Sequence, residues 1–569
     1  MTPPNPALVS HQAAVRLPRW ALLIFCAAYV LPGLFGRDPW KNADVTAFGY
    51  MLEIALGRTS WWTPHLGGLA ADTALLPYWL GAFFIKLLNP VVPEALAARI
   101  PFSLLLAAAL SFTWSAAYHL ARTEAAQPVP FAFGGEAQPA AYACAIADGA
   151  LLALIATLGL LQLGHETTPE ILQLLGVCML LYATGASPFQ FVKACICAVL
   201  SLAILAASGA PAIAVIMGFV CGFSGIKSCY AGARHLSGLI LLCLVIYVII
   251  TIVLQFKALE WQIQSSLGIN HPTPTYSILR MLIWFTWPAW PLALWTLWRW
   301  RYHWFRRHIF IPLGCALVSM ISSILMGGSD RALMLCIPAL AILAAFALPT
   351  LDRATAAAID WFSVFFFTAI AIVIWVIYIA MQTGFPEQPS ANVVKLAPGL
   401  QPYFNALALF IALAGSIAWV WLVRWRARRN QYALWKSMVL PAGGVALCWL
   451  LLMTLWLPLL DYARSMRPLV QKVSQHVSPE SCIATPGASK ALVASLIYFG
   501  RYRVEATSNS LNTSCEFLLQ SERPEAEVSA TPIGWMFIAA EQRPTNRLEN
   551  FVIYRREPSV PLPVPKIAK

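Results

Sequence analysis

The residues best suited to do chemistry are carboxylates held in the polar stretches between apolar runs. The segment KNADVTAFGYMLEIALGRTSWWTPHLGGLAAD (41–72) carries Asp44, Glu53 and Asp72. A second stretch, LGHETTPEI (163–171), adds His165, Glu166 and Glu170. A third, 256–280, brings Glu260, His271 and Arg280, and Arg331 follows the short run GGSD. Carboxylates of this kind can accept a proton from a hydroxyl or stabilise positive charge on a reacting carbon, and a cation can hold an anionic leaving group. No His/Cys/Asp cluster has firm metal-ligand spacing, so no cofactor is firmly implied, and the sequence leaves a divalent-metal requirement open.

The elements that would position these groups follow from periodicity. Val45, Phe48, Leu52 and Leu56, with Met51 and Ala55 beside them, form an apolar stripe that predicts a helix over 44–56. Asp44 opens that helix, where a carboxylate suits the positive end of the dipole, so a plain N-cap is the simplest role for it. Glu53 lies nine residues on, and at about 100° per residue it faces the other side, so the two acids do not converge. Trp61 and Trp62 read as membrane-interface anchors, and Thr63, Pro64 and the glycines mark a turn. Asp72 precedes a second apolar helix, LLPYWLGAFFIKLL (75–88), again in an N-cap position. Pro169–Glu170 likewise reads as a helix start. A lone loop histidine such as His271 is more often incidental than functional.

Composition sets the class. Of 569 residues, 59% are hydrophobic and 11% charged, and the mean hydropathy is +0.68. A soluble domain cannot hide that much apolar surface, so the chain reads as an all-α polytopic membrane protein. The net charge of +13 does not point to nucleic acid, because the basic residues cluster in short loops between apolar runs. Eleven of the thirteen cysteines lie in apolar runs and read as small buried hydrophobes. Cys482 and Cys515 lie in the polar tail, where a disulfide forms if that tail faces an oxidising space.

A spanning helix needs about 20 mostly apolar residues. Thirteen spans are expected, near 20–36, 100–121, 141–161, 170–186, 189–207, 211–225, 236–256, 277–298, 309–327, 332–349, 361–381, 403–423 and 438–459. With the N-terminus inside, the cytoplasmic loops receive Arg122, Lys193, Lys227, Arg234, RWRYHWFRRH (299–308), Arg353 and RWRARRNQYALWK (424–436), while the short outer loops hold little positive charge. Residues 75–88 are then an interfacial helix, since a fourteen-residue span there would put both basic runs outside. The opening loop, 36–99, is periplasmic if the host is bacterial. The expected organisation is a membrane module over 1–459 and a small periplasmic α/β domain over 460–569, with strand-like runs SLIYFGRYRVEA, CEFLLQ, WMFIAA and NFVIYRR.

Several motifs together resemble the GT-C glycosyltransferases that use polyprenyl-phosphate sugars, in particular the family 39 protein mannosyltransferases and the lipid A aminoarabinose transferases. They are the initial Asp44 on its helix, W-x-x-P-x-L-x-G from Trp61, PYWL (77–80), ARIP (98–101), WFTWPAWPLALW (284–295) and RALMLCIPALAILAAFAL (331–348). The resemblance implies a GT-C fold and an inverting transfer of a sugar from undecaprenyl phosphate to a lipid A, glycan or protein acceptor at the periplasmic face of the bacterial inner membrane. It makes Asp44 the catalytic base and Glu170 the second carboxylate, with Asp72, His165, Glu166, His271 and Arg331 toward the substrates. Where the family has a lysine after the second loop acid, this chain has Thr73; the two prolines are Ala74 and Leu75, and the acid that often follows the catalytic aspartate is Val45. Those departures keep open an inactive relative acting as a lipid-binding or assembly partner. A lipid-linked-sugar transporter is the other alternative, against which stand the scarcity of charge inside the spans and the lack of an internal repeat.

Overall fold

The computed structural model describes residues 5–40, 42–71, 75–253, 275–428, 433–508, 512–522 and 532–557. Asp72 and His271 lie outside the described residues.

The chain runs through α1 (Arg19–Val30), α2 (Ala43–Ala55), a hairpin of β1 (His65–Leu66) and β2 (Leu69–Ala70), α3 (Leu75–Leu88) and α4 (Glu94–Ala121). There follow α5 (Pro139–Ala156), α6 (Gly159–Leu163), α7 (Pro169–Ala186), α8 (Phe191–Ala207), α9 (Pro211–Ile226) and α10 (Ala231–Val253). Next come α11 (Thr275–Phe285), α12 (Ala289–Arg299), α13 (Arg307–Leu325), α14 (Asp330–Met334), α15 (Ile337–Ala347), α16 (Arg353–Thr383), α17 (Glu387–Leu396), α18 (Ala406–Arg428) and α19 (Lys436–Thr454). The tail holds α20 (Leu457–Arg464), α21 (Arg467–Val473), β3 (Cys482–Ala484), α22 (Lys490–Gly500), β4 (Arg503–Glu505), β5 (Phe517–Glu522), β6 (Trp535–Arg543) and β7 (Asn546–Arg556).

Each expected span meets a helix or a helix pair. Eight described helices (α4, α5, α7, α10, α13, α16, α18 and α19) are long and apolar enough to cross a bilayer, which makes this a multi-pass membrane protein. Others are apolar but shorter, α1, α8 and α9 among them. The expected span 277–298 is two helices, α11 and α12, parted where Pro288 has no N–H to continue the ladder. The apolar α3 has 14 residues, so its length is roughly 21 Å at 1.5 Å per residue, and it is not among the eight.

Two compact units emerge. The first comprises residues 1–34, 102–373 and 407–454. Within it α7 packs on α8, α12 on α15, and α5 on both α15 and α19. The middle of α5 is buried on every side, as suits its run of alanines and leucines.

The second unit comprises residues 35–101, 374–406 and 455–569, so the opening segment and the tail fold together. Its centre is α2, which packs against α3 and α22. A Cβ on Gly49 would come within 2.7 Å of the Ala494 Cβ, so the α2–α22 approach depends on glycine there. The hairpin turns through Gly67 and Gly68, both at positive φ (59° and 87°), the turn that suits the twist of two antiparallel strands. The tail sheet has the order β4-β3-β5-β7-β6, parallel among the first three and antiparallel thereafter. Leu469, Val470, Leu492, Leu496, Ile483 and Ile553 contribute to the core between its helices and sheet. Cys482 and Cys515 form a disulfide.

Three local expectations are corrected. The stripe on α2 is not one-sided: Asp44 to Ile54 are nearly all buried, because α3, α22 and the hairpin cover it from several directions. The first half of SLIYFGRYRVEA is helix, not strand. Ser489 caps α22 by accepting from the Leu492 N–H at 3.3 Å, and Arg501 ends the helix in the left-handed region. Finally, Cys229 is exposed while Cys178, Cys221, Cys315, Cys336 and Cys448 are buried.

Candidate functional site

Asp44 does not cap its helix. The N-cap residue is Asn42, which makes no side-chain cap bond, and Asp44 sits in the first turn. Its carboxylate turns back along the chain instead. Oδ2 accepts the Trp40 main-chain N–H at 3.0 Å and lies 3.4 Å from Arg37 Nη2. Both partners in the ion pair are buried, the side chains being 0% and 1% exposed. Removing two charges from water costs several kcal/mol per ion, so the pair persists only with further hydrogen bonds around it. Arg99, in the first turns of α4, supplies one of these by donating to the Arg37 carbonyl.

The tail completes the cluster. Asp461, on α20, accepts two N–H groups on a single oxygen: the Trp40 indole at 2.8 Å and the Asp38 main chain at 3.2 Å. Arg467 holds Asp38 through two bonds of 2.7 and 2.6 Å. The Trp40 ring lies beneath two guanidinium groups, Arg37 at 4.8 Å and Arg464 at 5.2 Å. Burial, helped by the neighbouring Asp38 charge, pushes the Asp461 carboxyl up to about 7, against the pull of the Trp40 and Asp38 donors and of Arg37. Four arginines (37, 99, 464, 467) therefore face three aspartates (38, 44, 461) in one small region. Glu53, farther along α2, pairs with Arg58 at 3.2 Å; burial raises its pKa despite that cation.

In the other unit, Glu166, Glu170 and Arg331 come together as a separate cluster. Arg331 Nη2 bonds Glu166, while Nη1 reaches Thr168 Oγ1 at 3.1 Å and Glu170 Oε2 at 3.4 Å. Gln162 donates to the second Glu166 oxygen at 3.0 Å. Burial opposes the Arg331 charge, but Glu170 and Glu166 outweigh it and the guanidinium is held firmly protonated. Pro169 stands at the first position of α7 with Glu170 behind it, so the helix-start reading and the cluster coexist. His165 points elsewhere. Its Nδ1 lies 2.7 Å from the Leu161 carbonyl and its Nε2 2.9 Å from the Tyr29 carbonyl, with the ring against Trp449. A neutral imidazole can donate to only one of these oxygens.

Among the described residues, Cys482, Glu505 and Cys515 are the group close enough to share an ion, and the disulfide occupies both sulfurs.

Sequence reasoning reached Asp44 and the Glu166–Glu170–Arg331 group but not Arg37, Trp40, Arg99 or Asp461. Arg37 and Trp40 were within sight, since GRDPWKNAD crowds charge and a tryptophan just before Asp44. Arg99 lies inside ARIP. Asp461 had no local signal, because it reaches Trp40 across 421 residues.

No protein family matches the chain, and no curated protein matches it. Solved structures do. A crystal structure of ArnT from Cupriavidus metallidurans bound to undecaprenyl phosphate superposes with a TM-score of 0.60 at 13% identity, covering 94% of this chain and 98% of that one. The apo crystal structure of the same protein gives 0.58 at 14% identity, with the same coverage. The chain therefore has, over nearly its whole length, the GT-C fold of these structures.

Proposed function

We propose that the chain is an inverting glycosyltransferase that moves a sugar from undecaprenyl phosphate to a lipid, glycan or protein acceptor. One observation carries the reading most: a buried carboxylate, Asp44, fixed by the Trp40 N–H and Arg37 at the start of the opening segment. In such a transfer the acceptor hydroxyl attacks the anomeric carbon from the face opposite the phosphate. The carbon–oxygen bond to the phosphate breaks, and the phosphate leaves with the electron pair. The hydroxyl proton passes to a carboxylate, here Asp44, whose negative charge also favours the oxocarbenium-like transition state.

We assign Glu170, and Glu166 beside it, to the second acidic role. Arg331 first holds these two acids; it would reach a phosphate only by exchanging one of them. His165, with both nitrogens facing main-chain carbonyls, supports the turn before Glu166. Asp72 and His271 remain assigned to the substrate side on the resemblance alone. Arg37, paired with Asp44, holds the base itself in place. The chain is placed in the bacterial inner membrane with its N-terminus cytoplasmic and its tail periplasmic, supported by the basic runs 299–308 and 424–436. The short apolar α3 then rests along the outer leaflet.

The second reading is an inactive relative that binds the lipid carrier. Thr73, Ala74 and Leu75, where the family has Lys-Pro-Pro, favour it. Isolated membranes given radiolabelled undecaprenyl-phosphate pentoses and hexoses separate the two. The wild type transfers label and Asp44→Asn does not; an equally active Asp44→Asn removes this residue from the mechanism, and retention of the lipid without transfer by the wild type favours the second reading.

A further inference from the structure

We propose that Asp461 is a positioning residue for Asp44, acting through Trp40. The inference rests on the reading of Asp44 as the base. Trp40 is the joint. Its main-chain N–H binds Asp44, its indole N–H binds Asp461, and its ring lies within cation–π distance of Arg37 and Arg464. A shift of the indole moves the N–H that fixes the Asp44 carboxylate.

Asp461 is ill-suited to a purely structural clamp. The tie between the tail and residue 38 is already made by the paired bonds from Arg467. Among the described residues Asp461 has no ion-pair partner, and its two hydrogen-bond donors are neutral. A buried carboxylate so placed is costly to ionise. The charged groups acting on it are Asp38 and Arg37 from the opening segment, Arg99 from α4 and Arg467 from α21. Tyr498 from α22 acts on both Arg99 and Arg467, Asp44 from α2 on Arg99, and Glu94 on Tyr498, while Arg464, on the same helix as Asp461, lies over the Trp40 ring. Burial first, with the Asp38 charge added, leaves Asp461 changing charge near neutrality. Once ionised, it accepts the indole N–H more strongly, and so holds Trp40, and with it the main-chain N–H on Asp44, more firmly in place.

Asp461→Asn keeps a carbonyl oxygen that can accept both N–H groups while removing the titration. Trp40→Phe keeps the ring and the main-chain N–H but loses the indole donor. Purified full-length protein in lipid nanodiscs, with lipid A supplied as acceptor, is assayed by transfer of label and release of undecaprenyl phosphate from undecaprenyl-phosphate pentoses and hexoses between about pH 5.5 and 8.5. The wild-type kcat rises through about pH 7 with KM unchanged, and both variants lose the rise. Asp461→Ala lowers kcat at every pH, on the order of tenfold to a hundredfold. A substrate-free arm follows unfolding midpoints. The shift caused by Asp461→Asn depends on whether residue 44 is Asp or Asn, and this dependence disappears in a Trp40→Phe background. An Asp44→Asn protein that still transfers sugar ends the reading of Asp44 as base. If Asp44→Asn is inactive while both variants keep the wild-type pH profile, only the role of Asp461 falls. Additive midpoint shifts also overturn it.

Discussion

The indole N–H of Trp40 donates to Asp461 at 2.8 Å, joining residues 421 positions apart. Four residues on from that indole, Asp44 accepts the main-chain N–H of the same tryptophan at 3.0 Å. Trp40 thus bonds both the tail of the chain and the carboxylate on which the proposed chemistry depends.

Replacing Arg37 by alanine leaves Asp44 buried without its cation. Breaking a buried pair from one side costs about 3–5 kcal/mol, far more than replacing both partners. Arg37→Ala should therefore lower the unfolding midpoint strongly, and Arg37→Met combined with Asp44→Asn should recover part of the loss. Thermal unfolding of the detergent-solubilised protein measures this; a double variant no more stable than Arg37→Ala would show that the pair is not what holds the segment.

Asp461 gives stability a pH dependence of defined sign. Its folded-state pKa, about 7, stands above the ordinary 3.8, so the folded protein holds this proton more tightly than the unfolded chain. Its contribution is full below about pH 4, declines as pH rises toward 7, and is lost above that. The difference in midpoint between wild type and Asp461→Asn should fall steadily across this window and be flat at higher pH. A difference that grows with pH would reverse the assignment.

The close approach of α2 and α22 makes Gly49 sensitive to size. Its Cβ position is 2.7 Å from the Ala494 Cβ, so Gly49→Val should cost about 1–3 kcal/mol through overpacking. Gly49→Ala should be milder and partly rescued by Ala494→Gly. Unfolding midpoints of the three variants check the order; equal stability in all of them would mean that the helices separate freely.

Removing Arg331 takes the cation from Glu166, whose side chain is 4% exposed, with more effect than from Glu170, at 22%. Arg331→Ala should destabilise by about 1.5–3 kcal/mol, the range for the loss of a hydrogen bond to a charged group. Glu166→Gln in the same background should restore more than Glu170→Gln does. Matching midpoints for the two rescues would show that the arginine is not anchored chiefly by Glu166.

Much of this architecture was legible in the residue pattern. Apolar runs placed a helix or helix pair at each expected span, eight of the described helices being long and apolar enough to cross a bilayer, and Asp44 stands out as an acid at the head of an apolar helix. SLIYF is rich in residues that suit either state, and the capping Ser489 lies outside that run, so the local pattern alone favours a strand where α22 forms. The partners of Asp44 were harder to see for a different reason. Arg37 and Trp40 are local but reach the carboxylate only through the turn before α2, and Asp461 is brought in by tertiary folding alone. Periodicity reports which face of an element is buried. It does not report which distant group meets that face.

The most direct measurement is the release of undecaprenyl phosphate from undecaprenyl-phosphate sugars by purified protein in nanodiscs supplied with lipid A as acceptor, compared between wild type and Asp44→Asn. Release by the wild type, and its loss by at least a hundredfold (about 2.7 kcal/mol of transition-state stabilisation) in a variant with an unchanged unfolding profile, is expected. Release by Asp44→Asn at the wild-type rate would contradict the assignment of Asp44 as the base.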